Sequence, residues 1–250
     1  MDTAIKDRFM AMWGNYFPGA QLPICFFYTD KGDIEERVAP FSGQRCLICD
    51  LAKVRSGRSL CFDVDSLGCG GAKRYLGFTQ KLRPNFEYFL SCGIPGKMEG
   101  ERYKKSPELV KKSMKEHVHI KAPAKYIVFK RWDRLEEKDE PIAAIFFAPP
   151  DVLSGLFTLA NYEEYEPNGV IAPFCAGCGS IVYYPYAEFK SDRPRAVLGM
   201  FDVSARPCVQ ESILTFTVPM PKFERMIENA NESFLITDSW KKVKTRIARK

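Results

Sequence analysis

Two cysteines in this chain stand between glycines: Cys69 in Gly68-Cys69-Gly70-Gly71, and Cys178 in Gly177-Cys178-Gly179. Glycine lets the backbone turn tightly and lets a ligand come close. A cysteine that opens a helix also feels the positive end of the helix dipole, which favours its thiolate. Such a thiolate can bind a metal, attack an electrophile or take part in redox exchange. Two C-x2-C pairs, Cys46–Cys49 and Cys175–Cys178, add to the set. Two intervening residues let both sulfurs turn toward one ion, and four thiolates suit tetrahedral zinc or an iron–sulfur cluster. The candidate metal ligands are therefore Cys46, Cys49, Cys69, Cys175 and Cys178, with Cys61 as a sixth thiol upstream of Cys69. Gly68, Gly70, Gly71, Gly177 and Gly179 are the candidate ligand-binding turns. Cys25 in "ICFFY" and Cys208 in "ARPCV" read as packing residues.

The two pairs lie much too far apart for a zinc ribbon. Thiolates gathered across a core between two halves favour an iron–sulfur cluster, with zinc or no metal as the alternatives. Positive potential at the site would come from the helix N-termini, with Arg45 and Lys73 close in sequence. Other chemistries are poorly served. His117 and His119 are the only histidines. They follow a lysine-rich helix near Pro123 and read as a surface turn, which weakens a Ser-His-Asp or Cys-His hydrolase. The nucleophile-elbow, phosphate-loop and zinc-protease motifs are missing. Asp63, Asp65 and Asp202 form no distinctive pair, so no catalytic residue is assigned. Three classes of function remain. One is a redox or electron-transfer metalloprotein. Another is an enzyme or sensor with a reactive thiolate at Cys69 or Cys178. The third is a small-molecule binding module whose glycine turns cradle a ligand at helix N-termini.

The elements that would position these residues alternate along the chain. Apolar, β-prone runs predict strands at 24–30, 59–65, 125–133, 142–149, 196–203 and 212–218. Helical spacing of Ile5, Phe9, Met12, Trp13 and Tyr16 predicts an N-terminal helix. Ser42 and Gly57 bracket a second helix carrying Cys46 and Cys49. Exposed or amphipathic helices follow at 101–117, 151–167 and 221–235. Leu51-Ala52 precedes Gly68-Cys69-Gly70 much as Leu159-Ala160 precedes Gly177-Cys178-Gly179. Later an apolar strand runs into Ile94-Pro95 in one half and Val218-Pro219 in the other. The expected fold is α/β (α+β), with mixed sheets and flanking helices. It is one compact body of two related halves, 1–120 and 121–250, about an approximate two-fold that brings Cys69 and Cys178 to a shared cleft.

Composition limits the partners. The chain is 46% hydrophobic and 27% charged, ordinary for a globular protein. No run is long and apolar enough to span a membrane, and the first residues do not pattern as a signal peptide. A cytoplasmic location is expected, and nine cysteines there do not read as a disulfide framework. The net charge of +6 comes largely from residues 103–125 and the C-terminal "SWKKVKTRIARK". These runs read as solvated helix faces, so neither nucleic acid nor membrane is expected as a partner. A small molecule or redox partner is expected, and a homo-oligomer is compatible.

The ordered set "RCLICDLAKVRSGRSL", "GCGGAKRYLGF", "IAAIFFAPPD", "GCGSIVYYP" and "FTVPMPKFERMIE" resembles the domain-of-unknown-function 169 family over most of the chain. Cys69, Gly70 and Gly71 match its pattern best. The resemblance implies a cytosolic prokaryotic protein and supports the fold boundaries, but supplies no reaction. The Cys46/Cys49 and Cys175/Cys178 pairs are richer in cysteine than the family pattern implies.

Overall fold

The computed structural model describes residues 1–32, 36–117 and 120–249; His119 lies outside them. Among the described residues eight strands run in chain order: β1 Ile24–Thr29, β2 Glu36–Arg37, β3 Leu60–Phe62, β4 Tyr126–Arg131, β5 Ala143–Ala148, β6 Val170–Ile171, β7 Ala196–Gly199 and β8 Leu214–Pro219. The helices are α1 Thr3–Tyr16, α2 Leu47–Arg55, α3 Gly70–Tyr75, α4 Phe86–Phe89, α5 Pro107–Lys115, α6 Pro150–Ala160, α7 Tyr184–Phe189, α8 Met220–Asn229 and α9 Asp238–Ile247. A π-helical turn, Gly179–Tyr183, runs straight into α7.

All eight strands form one mixed sheet in the order β2-β3-β4-β1-β5-β8-β7-β6. The central strands are nearly continuous apolar runs because both of their faces are covered. Side chains alternate between two cores, as the two-residue strand period requires. Cys25, Val128, Ala144, Phe146, Phe216 and Val218 face one core, closed by α1, α6, α8 and α9. Ile24, Phe26, Ile127, Phe129, Ile145 and Phe147 face the other, closed by α2, α3 and the π-turn with α7. The result is a three-layer α/β body, and Cys46, Cys69, Cys178 and Cys208 lie in the helical layer on the second face of the sheet.

The order and sense of strand pairing read the same from both edges. From one edge, β2 is parallel to β3, and β3, β4 and β1 are successively antiparallel. From the other, β6 is parallel to β7, and β7, β8 and β5 are successively antiparallel. β1 and β5 join the two sets. This grouping places β4 with β1–β3, whereas a boundary between 120 and 121 would detach it from its partners. It also changes the alignment of the halves. Residues 86–89 are helical and Ile94 makes only an isolated bridge to Met98, so the run into Ile94-Pro95 is not the counterpart of β8. The strand in β8's place is β4. Aromatic content and a following proline do not distinguish a short helix and turn from a buried strand.

Candidate functional site

Cys46 is the N-cap of α2, in extended backbone (φ −80°, ψ 126°). Ser42 does not start the helix, which begins five residues later, at Leu47. The Cys49 N–H donates to the Cys46 carbonyl at 3.2 Å, and the Cys46 sulfur makes no capping hydrogen bond. Cys69 is likewise the N-cap of α3 (φ −124°, ψ 130°), and Cys178 immediately precedes the π-turn. The expectation that Cys69 and Cys178 open helical segments therefore holds. Their surroundings meet as well: Cys46, Cys69, Cys175 and the Asp202 carboxylate all act electrostatically on Cys178.

The flanking glycines explain how these segments come so close. A Cβ on Gly179 would lie 2.8 Å from Cys175 Cβ and 2.9 Å from its sulfur. One on Gly177 would press against Ile48 of α2 and Ala205 at 3.2 Å. One on Gly68 would meet Arg45 and Phe41 at 2.8 Å. A Cβ on Gly71 would sit at ordinary contact, 3.5 Å, from the Cys69 sulfur, and Gly70 faces open space. Gly68, Gly177 and Gly179 thus serve the mutual approach of the cysteine segments.

Cys49 is joined to Cys208 in a disulfide spanning 159 residues of sequence. This overturns two expectations: the chain does form a disulfide, and Cys208 is not a packing residue. The fold brings Cys49 and Cys208 to a Cα separation of 4.8 Å, a proximity that spacing in the sequence cannot show. Cys46 stands beside the bond, since the sulfurs of Cys46, Cys49 and Cys208 all lie within 4.8 Å of one another. Cys61 and Cys25 are fully buried in the opposite core. On β3, Leu60 and Phe62 face the cysteine layer and Cys61 faces away, so the strand period removes Cys61 from the site. His117 places its Nδ1 2.8 Å from the Ser113 carbonyl and packs its ring near Tyr183.

The strand order reveals which cysteines occupy like positions. Cys46 and Cys49 open the helical segment between parallel strands β2 and β3. Cys175 and Cys178 open the one between parallel strands β6 and β7. Cys69 follows β3 and Cys208 follows β7. Each half of the sheet therefore carries C-x2-C and then a further cysteine after its third strand, with Cys25, Cys61 and Cys92 as additional cysteines of the first half. In the order of strands, Cys69 therefore lies where Cys208 does, after the third strand of its set, and not where Cys178 does.

The site is short of positive charge. Burial raises the Cys46 thiol pKa more than the nearby backbone N–H groups of α2 lower it, with Cys69 and Asp202 adding to the rise. Burial, then Asp202, pushes Cys175 up to about 12. Burial followed by the neighbouring thiols and Asp202 drives Cys178 well above the ordinary thiol range. Asp202 is fixed in place by the Gly177 N–H at 2.8 Å and by Ser204. Arg45, expected to supply positive potential, donates to Asp50 instead. Tyr75, whose own pKa is raised by burial and by Cys175, closes the wall beside Gly179. Asp202, Tyr75 and Cys208 lack the glycine flanks that pick out Cys69 and Cys178.

These shifts have a measurable consequence. Unfolded, the Cys175 thiol ionises near its ordinary value of 9.0; folded, it holds its proton to about 12. A raised folded pKa contributes stability below the unfolded value, and that stability drains away as pH rises through the folded value. Metal-free protein should therefore lose stability from about pH 9 upward. Urea midpoints across that range should fall less steeply for Cys175→Ser; equal slopes would contradict the burial described here.

Exposed apolar side chains edge the site: Phe174 next to Cys175, and Phe201 and Val203 on either side of Asp202. Lys104 lies 4.4 Å over the Phe174 ring. Among the described residues, no helix is long and apolar enough to cross a membrane. No curated protein and no solved structure matches the chain. The DUF169 model, described as uncharacterised ArCR, matches residues 20–229, so the chain belongs to the DUF169 family.

Proposed function

We propose that this protein carries an iron–sulfur cluster on the free thiols Cys46, Cys69, Cys175 and Cys178, and that it works in electron transfer. The observation that supports this most is the gathering of three free thiols, Cys46, Cys69 and Cys175, around a fourth, Cys178, two of the four from each half of the sheet. Thiolate ligation requires these groups to lose their protons. In the protein alone, burial and Asp202 oppose that loss, and a bound cation would reverse the balance. The donors are soft sulfurs with no histidine among them, which suits iron–sulfur chemistry or zinc.

Spacing favours the cluster. Four thiolates on one zinc lie about 3.8 Å apart, given Zn–S bonds of about 2.3 Å. Among the described residues, only Cys46, Cys49 and Cys208 form a set of three sulfurs within 4.8 Å, and two of these are joined to each other. No three of the four free thiols lie that close to one another, a wider spread than a single zinc allows. When bound, such a cluster supplies a one-electron couple. The chain's own contribution is to hold the thiols, exclude water through Tyr75 and the aromatic wall, and keep an apolar edge at Phe174, Phe201 and Val203 where an electron-carrying partner can approach.

The repeated C-x2-C and later cysteine, in like places of a sheet that reads the same from both edges, suggest that the halves arose by duplication. In that reading Cys49–Cys208 covalently braces the two halves beside the cluster.

A thiol–disulfide exchange protein is the second reading, favoured by Cys46 standing at a helix N-terminus beside Cys49–Cys208. Its weakness is the raised Cys46 pKa, which leaves little thiolate at neutral pH to attack the bond. Protein purified without oxygen separates the readings. A brown colour with broad sulfur-to-iron absorption is expected. Colourless, metal-free protein in which Cys46 exchanges rapidly with added thiols would favour the second reading.

A further inference from the structure

A separate feature lies at the other end of α2. A cavity of about 260 Å³ opens where the carboxyl end of β5 passes into α6, beside the loop from α1 to β1 and the last turn of α9. Its volume is a little below the range usual for small-molecule sites. It sits at the ends of the central strands, a place where open α/β sheets commonly leave a crevice.

Arg55, the last residue of α2, enters this cavity half-buried. Its guanidinium lies 4.6 Å over the Phe147 ring, and its Nε donates to Gln21 Oε1 at 2.9 Å. No carboxylate among the described residues forms an ion pair with it. Many other arginines do have one, including Arg37 with Asp63, Arg131 with Asp133 and Arg195 with Glu188. Keeping a partly desolvated guanidinium without an anion is costly, and burial lowers the Arg55 pKa accordingly. The ring stacking and the bond to Gln21 fix the plane of the fork while its terminal N–H groups remain available. A planar fork of this kind matches a carboxylate.

The rest of the lining narrows the ligand. Phe147, Val152 and Ile247 are buried and apolar. Asp151 on the α6 side is balanced by Arg246 at 2.9 Å. Among the described lining residues Arg55 is the only cation, and a single guanidinium fits a monoanion better than a phosphate dianion. We infer that this cavity binds a small apolar monocarboxylate, with Arg55 holding the carboxylate and Phe147, Val152 and Ile247 holding the hydrocarbon part. The site is independent of the cysteines and of whatever they bind.

Calorimetric titration with benzoate, using benzamide as its neutral counterpart, tests the inference. Benzoate should bind saturably. Benzamide and inorganic phosphate should bind at least about tenfold more weakly, a difference of about 1.4 kcal/mol. Arg55→Gln should weaken benzoate by a similar factor. Ile247→Trp, which fills the apolar end without touching Arg55, should also abolish binding and serves if the arginine variant does not fold. Three results would each overturn the inference: no saturable binding of any monocarboxylate from acetate to benzoate, equal binding of benzamide, or benzoate affinity unchanged in a folded variant.

Discussion

Cys178→Ser should strip the metal from protein prepared without oxygen, while Cys61→Ala should leave it in place. Cys178 is the thiol on which Cys46, Cys69 and Cys175 all act, so it lies in the middle of the proposed ligand set. Changing a residue that merely supports a metal ligand typically costs 10–100-fold in affinity, so losing a ligand should cost at least about 100-fold. Serine keeps the volume but offers a hard oxygen in place of a soft sulfur. Cys61 is as fully buried as any cysteine in the chain, yet it faces the opposite core. It controls for the effect of disturbing a buried thiol. Metal content and visible absorption of the two variants, measured side by side, decide the matter. Equal loss in both would mean that the metal depends on general integrity of the fold rather than on the cysteine layer.

The largest effect on stability is expected at Lys130 and Asp139. Their side chains are each about 1% exposed and meet at 2.9 Å, with Asp139 also accepting the Glu136 N–H at 2.8 Å. Lys130 continues the alternation of β4 into the core that α1 closes, and its ammonium lies 5.8 Å from the Phe27 ring. Asp139→Ala would break this buried ion pair by removing the carboxylate that meets the ammonium at 2.9 Å, a change that costs about 3–5 kcal/mol. Replacing both together, Lys130→Met with Asp139→Leu, should recover most of the loss, since well-packed apolar residues often substitute for a buried pair at no cost. Urea denaturation of the single and double variants measures this. A single variant within about 1 kcal/mol of the parent would show that water reaches the pair, contrary to its burial.

The pattern of apolar runs made the six main strands legible. β1, β4, β5 and β8 match their expected ranges closely, because long buried strands carry a strong signal. The two-residue strands β2 and β6 gave no such signal, and they are the ones that reveal the pairing of the halves. The start of α2 was misplaced because Ser42 is a good capping residue by type, while the cap actually used is Cys46. The glycine flanks pointed to Cys69 and Cys178, which the fold places at the starts of helical segments in one layer. They also suggested that these two are counterparts, because Gly-Cys-Gly is a local resemblance. Position in a fold depends on which strands flank a residue, and only the sheet order shows that Cys69 follows β3 as Cys208 follows β7. The disulfide was illegible for a similar reason: Cys49 and Cys208 meet only after the second layer has assembled. The Arg55 cavity is built from five separate segments, none with a motif of its own.

Native mass spectrometry of protein isolated and sprayed without oxygen tests the central claim most directly. It reads the mass of the bound centre and the redox state of the cysteines in one measurement. The account predicts a mass above that of the polypeptide by the iron and sulfide of one cluster, with the increment lost in Cys178→Ser. A wild-type mass equal to that of the bare polypeptide, or raised by a single zinc ion, would contradict it.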